Sequence, residues 1–379
     1  MYAVNEKISR FLAERQPETP CLVVDLDVIA ENYRALRHYL PLAEVFYAVK
    51  ANPAAEVVSL LVGLGSNFDA ASVPEIDLVL GLGASPDRIS FGNTIKKQRD
   101  IAWAFERGVR LFAFDSEAEL HKLAEAAPGA KVFCRILMTC DGADWPLSRK
   151  FGCDLEMAKD LLIQARTLGL DPHGVSFHVG SQQTDLSQWD IAVGKTAMLF
   201  TALNEAGIEL KMVNIGGGFP ARYRSEVSPV NAYADAVMHA MTSHFGNRLP
   251  AMIIEPGRSL VGDSGVLQTE IVLISVKSYE DNVRWVYLDV GKFGGLAETM
   301  DEAIKYRIRT QYAEGACGPV VIAGPTCDSA DILYEKAGYE MPLDLKVGDR
   351  IEILSTGAYT TTYSSVGFNG FKPLTAYYI

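Results

Sequence analysis

The chain lacks several features that would place it quickly. Its six cysteines (Cys21, Cys134, Cys140, Cys153, Cys317, Cys327) form no C-x-x-C pair and keep no framework spacing. That argues against a disulfide scaffold or thiolate zinc site and predicts free thiols in a reducing cytoplasm. The six histidines show no H-x-x-x-H spacing, so no metal is expected. No apolar run reaches about 18 residues, and MYAVNEKISRFLAERQ has no apolar stretch of signal-peptide length. Neither a membrane span nor a leader is expected. Positive charge is scarce too. Lys and Arg number 35 against 47 Asp and Glu, a net charge of −12 that argues against nucleic acid and suits a cationic ligand. At 379 residues the chain is long enough for two domains.

What it does have is a regular beat. Short β-rich apolar runs occur at VFYAVKAN, SNFDAAS, RISFGN, VRLFAFD, KVFCRIL, GVSFHVGS, MVNIGGG and MIIEPGR, eight in all. Segments with helical spacing lie between them, and residues 25–40 form another before the first run. Ser72-x-x-Glu75 and Ser116-x-x-Glu119 have the form of capping boxes. Gly108, Gly169, Gly207 and Gly246 stand where left-handed helix ends are expected. Eight strands alternating with helices predict a (β/α)8 TIM-type barrel over residues 22–258. The open dinucleotide-binding sheet would need a G-x-G-x-x-G after its first strand, and none is present. Beyond Arg258 the runs VLQTEIVLISVKSY, RWVYLDVG, GPVVIAG and DRIEILST are separated by turns with little helical periodicity. They predict a β-rich domain of residues 259–379, joined by residues 1–21.

In such barrels the active site lies at the C-terminal ends of the strands. Those ends carry Lys50, Asp69, Asn93, Asp115, Arg135, His178 with Ser181, Gly216-Gly217-Gly218, and Glu255 with Arg258. Any one of these reads equally as a core group or turn former; their shared end predicts a common pocket. Lys50 closes a buried run just before Asn52-Pro53. Its ammonium either snorkels to solvent on an apolar stem or serves as a nucleophile, its pKa drawn down from about 10.4. The triple glycine is either a turn before Phe219-Pro220 or a nest of backbone N–H groups open to a phosphate. Arg258 would add a charged contact. A phosphate site, an amine, the flat His178 ring and the Glu255 carboxylate are the parts that hold pyridoxal 5′-phosphate.

The ordered motifs YAVKAN, FDAAS, FHVGSQ, NIGGGFP, EPGR, GPTCDSAD and GAYT resemble those of a known family. It is the barrel-type (alanine racemase-like fold) pyridoxal phosphate-dependent basic amino-acid decarboxylases: the ornithine and lysine enzymes and their diaminopimelate relatives. The resemblance implies that Lys50 is the Schiff-base lysine, that His178 stacks on the ring and that Glu255 pairs with the pyridine nitrogen. Ser181, Gly218, Arg258 and Tyr359 would hold the phosphate, Gly217 and Gly257 would also bind the cofactor, and Asp69 and Arg135 would line the site. Cys327 would protonate the substrate α-carbon after carbon dioxide leaves. Asp328 would pair with the distal amine, with Asp301, Glu302 and Tyr359 also facing the substrate. The family pattern is a homodimer in which Cys327 and Asp328 reach into the neighbouring barrel.

Cys327-Asp328 resembles the ornithine branch, since diaminopimelate decarboxylases typically carry Cys-Glu. Two positions depart from the animal-type ornithine enzymes, which have tyrosine at Phe293 and aspartate at Glu302. The extra methylene of Glu302 changes pocket depth. The expectation is decarboxylation of ornithine to putrescine, with lysine to cadaverine as a second activity. Alternatives are diaminopimelate decarboxylation, a racemase with a tyrosine base, or a non-catalytic regulator like the antizyme inhibitors.

Overall fold

The computed structural model describes residues 5–145, 150–312 and 315–379. It divides into two compact units, Ala30–Pro220 with Val227–Ser259, and Met1–Ile29 with Ala221–Glu226 and Leu260–Ile379. In the first unit eight parallel strands close into a barrel. They are Ala43–Ala48, Asn67–Ala70, Ile89–Phe91, Leu111–Phe114, Lys131–Arg135, Asp171–Ser176, Met212–Asn214 and Ala251–Ile254, one from each apolar run of the sequence. The eighth strand closes on the first, with Met252 opposite Ala43 and Ile254 opposite Val45. Phe46, Ala113, Phe133, Met212 and Ile253 form one buried cluster. They come from five of the eight strands and fill the barrel interior, as small barrels require.

Three helix ends carry the positive φ that the glycines predict, 96°, 80° and 76° at Gly108, Gly169 and Gly207, whereas Gly246, with φ 63° and ψ −137°, ends its helix outside the left-handed helical region. The capping boxes form only by halves. Ser116 Oγ accepts from Glu119 N at 3.4 Å, but the Glu119 carboxylate turns away to Lys96 and Lys122. A charged donor outcompetes a backbone amide there. Ser72 makes no side-chain cap, and Glu75 accepts instead from Ala71 N at 2.6 Å. Lys96 is the buried centre of this region. Its Nζ donates to the carbonyls of Asn93 and Ala113, both at 2.7 Å, and pairs with Glu119 Oε1 at 3.0 Å. Burial draws the amine down to about 8 against the pull of Glu119.

The second unit is built on the long strand Gly265–Ser275. Its first half pairs antiparallel with Cys21–Val24 on one side and Arg350–Leu354 on the other. Past a bulge between Ile271 and Leu273 it turns to Arg284–Leu288. Cys317–Ala323 runs parallel to that strand and antiparallel to Ile332–Pro342, while Thr375–Tyr378 lies parallel to Cys21–Val24. Ile8, Leu12, Cys21, Val23, Val266 and Leu354 form a core beneath.

The expected boundary at residue 22 falls inside a strand. Cys21–Val24 is buried at every position and bonded to Gly265–Ser275, so the chain through Ile29 goes with the β-rich unit, as do residues 221–226. Ile332–Pro342 was not expected, because Glu335-Lys336-Ala337-Gly338 interrupts its alternation. All six cysteines are free. Among the described residues no helix is long and apolar enough to cross a membrane.

Lys96→Met would strip two carbonyls of their donor and leave Glu119 buried beside Lys122 alone. Such a broken buried pair should cost about 3 kcal/mol, read as a lower urea midpoint at unchanged slope. Adding Glu119→Gln should recover part of the loss.

Candidate active site

The polar strand ends gather at one mouth of the barrel. Lys50 sits in a single 3-10 turn, Val49–Ala51, directly after the first strand. Its half-exposed side chain places Nζ 3.4 Å from Oδ2 of Asp69, a buried residue of the second strand. Gly92, beyond the third strand, makes this possible: a Cβ there would overlap the Asp69 carboxylate. Arg135 ends the fifth strand, its guanidinium 5.4 Å from the centre of the Phe151 ring. Asp115, just past the fourth strand, accepts from Gly152 N at 2.7 Å and so ties down the segment carrying Phe151.

After the sixth strand, His178 Nδ1 accepts from Gly180 N at 3.0 Å, which leaves Nε2 to carry the ring proton. Nε2 points at Gly217, where a Cβ would lie 3.3 Å from it and 2.7 Å from the Glu255 carbonyl. Gly216 and Gly218 have φ of 70° and 101°, and a Cβ on either would run into neighbouring backbone. The nest therefore admits only glycine. Beside it, Arg258 is 3% exposed and directs Nε and Nη2 to Ser181 Oγ, each at 3.2 Å. Gly257 is buried next to it.

Electrostatics joins these groups. Burial, then Asp69, pushes the Glu255 carboxyl up to about 7, while Lys50, the Asn214 amide and Arg135 pull the other way. Burial of the His178 ring, with Arg135 and Lys50 near it, holds the imidazole well below its usual range, so it is neutral at pH 7. Arg135 is itself lowered by burial but steadied by Glu255, Asp115 and Asp69. Asn214 was missed in the sequence. It ends the seventh strand, donates Nδ2 to Glu255 Oε1 at 2.5 Å and accepts from Gly216 N at 2.9 Å. One side chain thus locks the carboxylate to the glycine nest. A polar residue closing the buried run MVN was the available signal.

The remaining candidates lie in the β-rich unit. Cys327 and Asp328 are exposed on one loop; Cys327 N donates to Asn369 Oδ1 at 3.1 Å, and Asp328 Oδ1 accepts from Ala330 N at 2.8 Å. Phe293 packs on Phe368 with ring centres 4.8 Å apart, and Tyr359 lies 5.9 Å from Tyr363. Asp301 and Glu302 border one cleft with Lys292, Lys305 and Ser329. The two do not offer equal carboxylates. Glu302 Oε1 accepts from the amides of Glu335 and Lys336, both at 2.7 Å, whereas Asp301 is exposed.

Several observations in the barrel unit fit a phosphorylated, carbonyl-bearing ring. The nest excludes side chains, Asp69 Oδ1 is buried without a hydrogen-bond partner, and the Glu255 carboxyl is desolvated where a cationic nitrogen would relieve it. A lysine amine beside such a pocket has the chemistry to meet a carbonyl-bearing cofactor. The chain belongs to the pyridoxal-dependent decarboxylases: residues 26–262 match the family described as "Pyridoxal-dependent decarboxylase, pyridoxal binding domain".

It is 36% identical to the lysine/ornithine decarboxylase of Selenomonas ruminantium, over 98% of this chain and 92% of the relative. Antizyme inhibitor 2 of Xenopus laevis is 32% identical, over 98% and 84%. A lysine/ornithine decarboxylase from Vibrio vulnificus, solved in complex with cadaverine, superposes at a TM-score of 0.88 with 30% identity, covering 100% of both chains. The barrel with its β-rich partner domain is the architecture of this family, and the cofactor is pyridoxal phosphate. The protein is a decarboxylase of basic amino acids.

Asn214→Ala removes one of the bonds that hold the Glu255 charge. The Kd for pyridoxal phosphate should rise about tenfold, the worth of ~1.4 kcal/mol for a bond to a charged group. Fluorescence titration of the apoprotein measures it, with an unchanged circular dichroism spectrum as the control.

Proposed function

We propose that the chain converts L-ornithine to putrescine and carbon dioxide, accepts L-lysine as a second substrate, and works as a homodimer. The observation that carries this is the exposed Cys327-Asp328 pair, a thiol able to return a proton beside a carboxylate able to hold a distant ammonium. The relatives named for lysine and ornithine support the same pair of substrates.

Bound pyridoxal phosphate supplies a carbonyl carbon for amine exchange and a ring that takes up the electron pair left by departing carbon dioxide. Lys50 anchors it through Nζ, and Asp69, 3.4 Å away, balances that amine when it is protonated. The neutral His178 face would lie against the ring. Glu255, steadied by Asn214, keeps the pyridine nitrogen protonated. The N–H groups of Gly217 and Gly218, with Ser181, Gly257, Arg258 and Tyr359, would hold the phosphate end, while Arg135 would line the site. Cys327 of the partner subunit would return a proton to the substrate α-carbon, and the Lys50 amine would be the group that holds the cofactor between turnovers.

Specificity rests at the far end of the substrate. Asp328 holds the distal ammonium, since a desolvated cation left unpaired is costly. Asp301 and Glu302 set the depth. With one Glu302 oxygen committed to backbone amides, Asp301 offers the freer carboxylate. Ornithine and lysine differ by one methylene, worth ~1–3 kcal/mol in a pocket.

Carbon dioxide release should be fastest from ornithine, within about a hundredfold for lysine, and at background for diaminopimelate. Lys50→Ala should abolish both turnover and the visible absorption of bound cofactor, and borohydride should label Lys50 alone in the wild type. No absorption band in the wild type, together with no turnover of any of the three, would instead indicate a regulator.

If Asp328 serves the partner's barrel, mixing inactive Lys50→Ala with inactive Asp328→Ala should restore activity. Random exchange makes about half the dimers mixed, each with one whole site, so about a quarter of wild-type activity is the ceiling. Proven subunit exchange with no recovery would mean that each site is built within one chain.

A further inference from the structure

An exposed loop does not by itself hold a proton donor to the fraction of an ångström that directed protonation demands. The loop bearing Cys327 is fastened from beneath. Asp331 is 2% exposed, and its carboxylate accepts three hydrogen bonds from two loops. Oδ1 receives Lys292 N at 2.8 Å; Oδ2 receives Thr326 N at 3.1 Å and Thr326 Oγ1 at 2.7 Å. Its backbone closes the loop again, accepting from Gly324 N at 2.8 Å and donating to the Asp328 carbonyl at 3.0 Å. The carboxylate lies between Gly291 and Gly324, and a Cβ on either would overlap it. Two glycines on separate loops thus leave room for one buried charge. Thr326, which it holds, is the residue immediately before Cys327.

We propose that Asp331 is a positioning residue for the reaction: its carboxylate staples loop 324–331 to loop 291–295, so that the Cys327 thiol delivers its proton to one carbon. The inference rests on the reading of Cys327 as the acid. Asparagine is the sharp probe, because it has the same shape but turns one of the two acceptors into a donor that must face a backbone N–H, that of Lys292 or of Thr326. A loosened thiol lets the proton go to the cofactor's carbon. The amine nitrogen then stays on the cofactor, and one water releases the substrate carbon as an aldehyde.

The test measures carbon dioxide, diamine and aldehyde from ornithine or lysine, whichever is turned over, in the holoenzyme. Wild type and Thr326→Ser, which keeps the hydroxyl, should give equal carbon dioxide and diamine. Asp331→Asn should keep the cofactor absorption but lose about tenfold in kcat, part of the ~10²–10⁴ a placed general acid contributes. Its diamine should fall short of carbon dioxide, with aldehyde making up the difference. Cys327→Ala run beside it separates the two readings. If Cys327→Ala keeps equal products at the wild-type rate, the thiol is not the acid and the inference falls with that reading. If Cys327→Ala misdirects the proton while Asp331→Asn does not, only the inference is overturned. Should Asp331→Asn not fold, Thr326→Val, which removes one bond and keeps the carboxylate, is judged by the same ratio.

Discussion

Parallel pairing of the eighth strand with the first, Met252 on Ala43 through Ile254 on Val45, brings Lys50 and Glu255 to one mouth although they mark the two ends of the barrel's sequence. Ala48 N, donating to Pro256 O at 3.1 Å, carries that closure past the strands and into the site itself. The register admits no slack. A one-residue slip would turn every inward side chain outward, taking Ile253 from the core and Glu255 from the mouth together. The core residues and the polar ends are therefore set by a single alignment.

Within that frame the charges depend on one another. Glu255 is raised by burial and Asp69, and drawn back by Lys50, Asn214 and Arg135. His178 is kept neutral by burial and by the same two cations. Removing any member shifts the rest, so single substitutions here report on a coupled set and not on isolated residues. The β-rich unit shows the same economy. Asp331 serves two loops with one carboxylate, and Glu302 caps two amides with one oxygen.

Much of this was legible in the sequence because it rests on local pattern. Eight apolar runs became eight strands, and their terminal polar residues converge as the barrel geometry demands. What escaped depends on contacts between distant segments. Cys21-Leu22-Val23-Val24 reads as a strand, but only its bonds to Gly265–Ser275 say which sheet owns it. Ser116-x-x-Glu119 reads as a capping box, yet buried Lys96, more than twenty residues upstream, claims the carboxylate. Asn214 and Asp331 look like a strand end and a loop acid, and their importance appears only with the groups they bond. Glu302 follows Asp301 in left-handed backbone, φ 54° after 52°, a local geometry that aims its carboxylate at Glu335 and Lys336.

The glycine nest has a consequence for how the proposed cofactor grip answers acidity. Backbone amides of Gly217 and Gly218 do not titrate, the Ser181 hydroxyl does not titrate near neutrality, and an arginine such as Arg258 keeps its proton throughout. The phosphate end of the grip is therefore blind to pH on the protein's side. Glu255 is the opposite: without the cofactor its carboxyl is pushed up to about 7, and a cationic ring nitrogen beside it would draw it back down. At the ring end it is therefore the pairing of Glu255 with the ring nitrogen that answers acidity, so the two ends of one ligand are held by contacts of different chemical temperament.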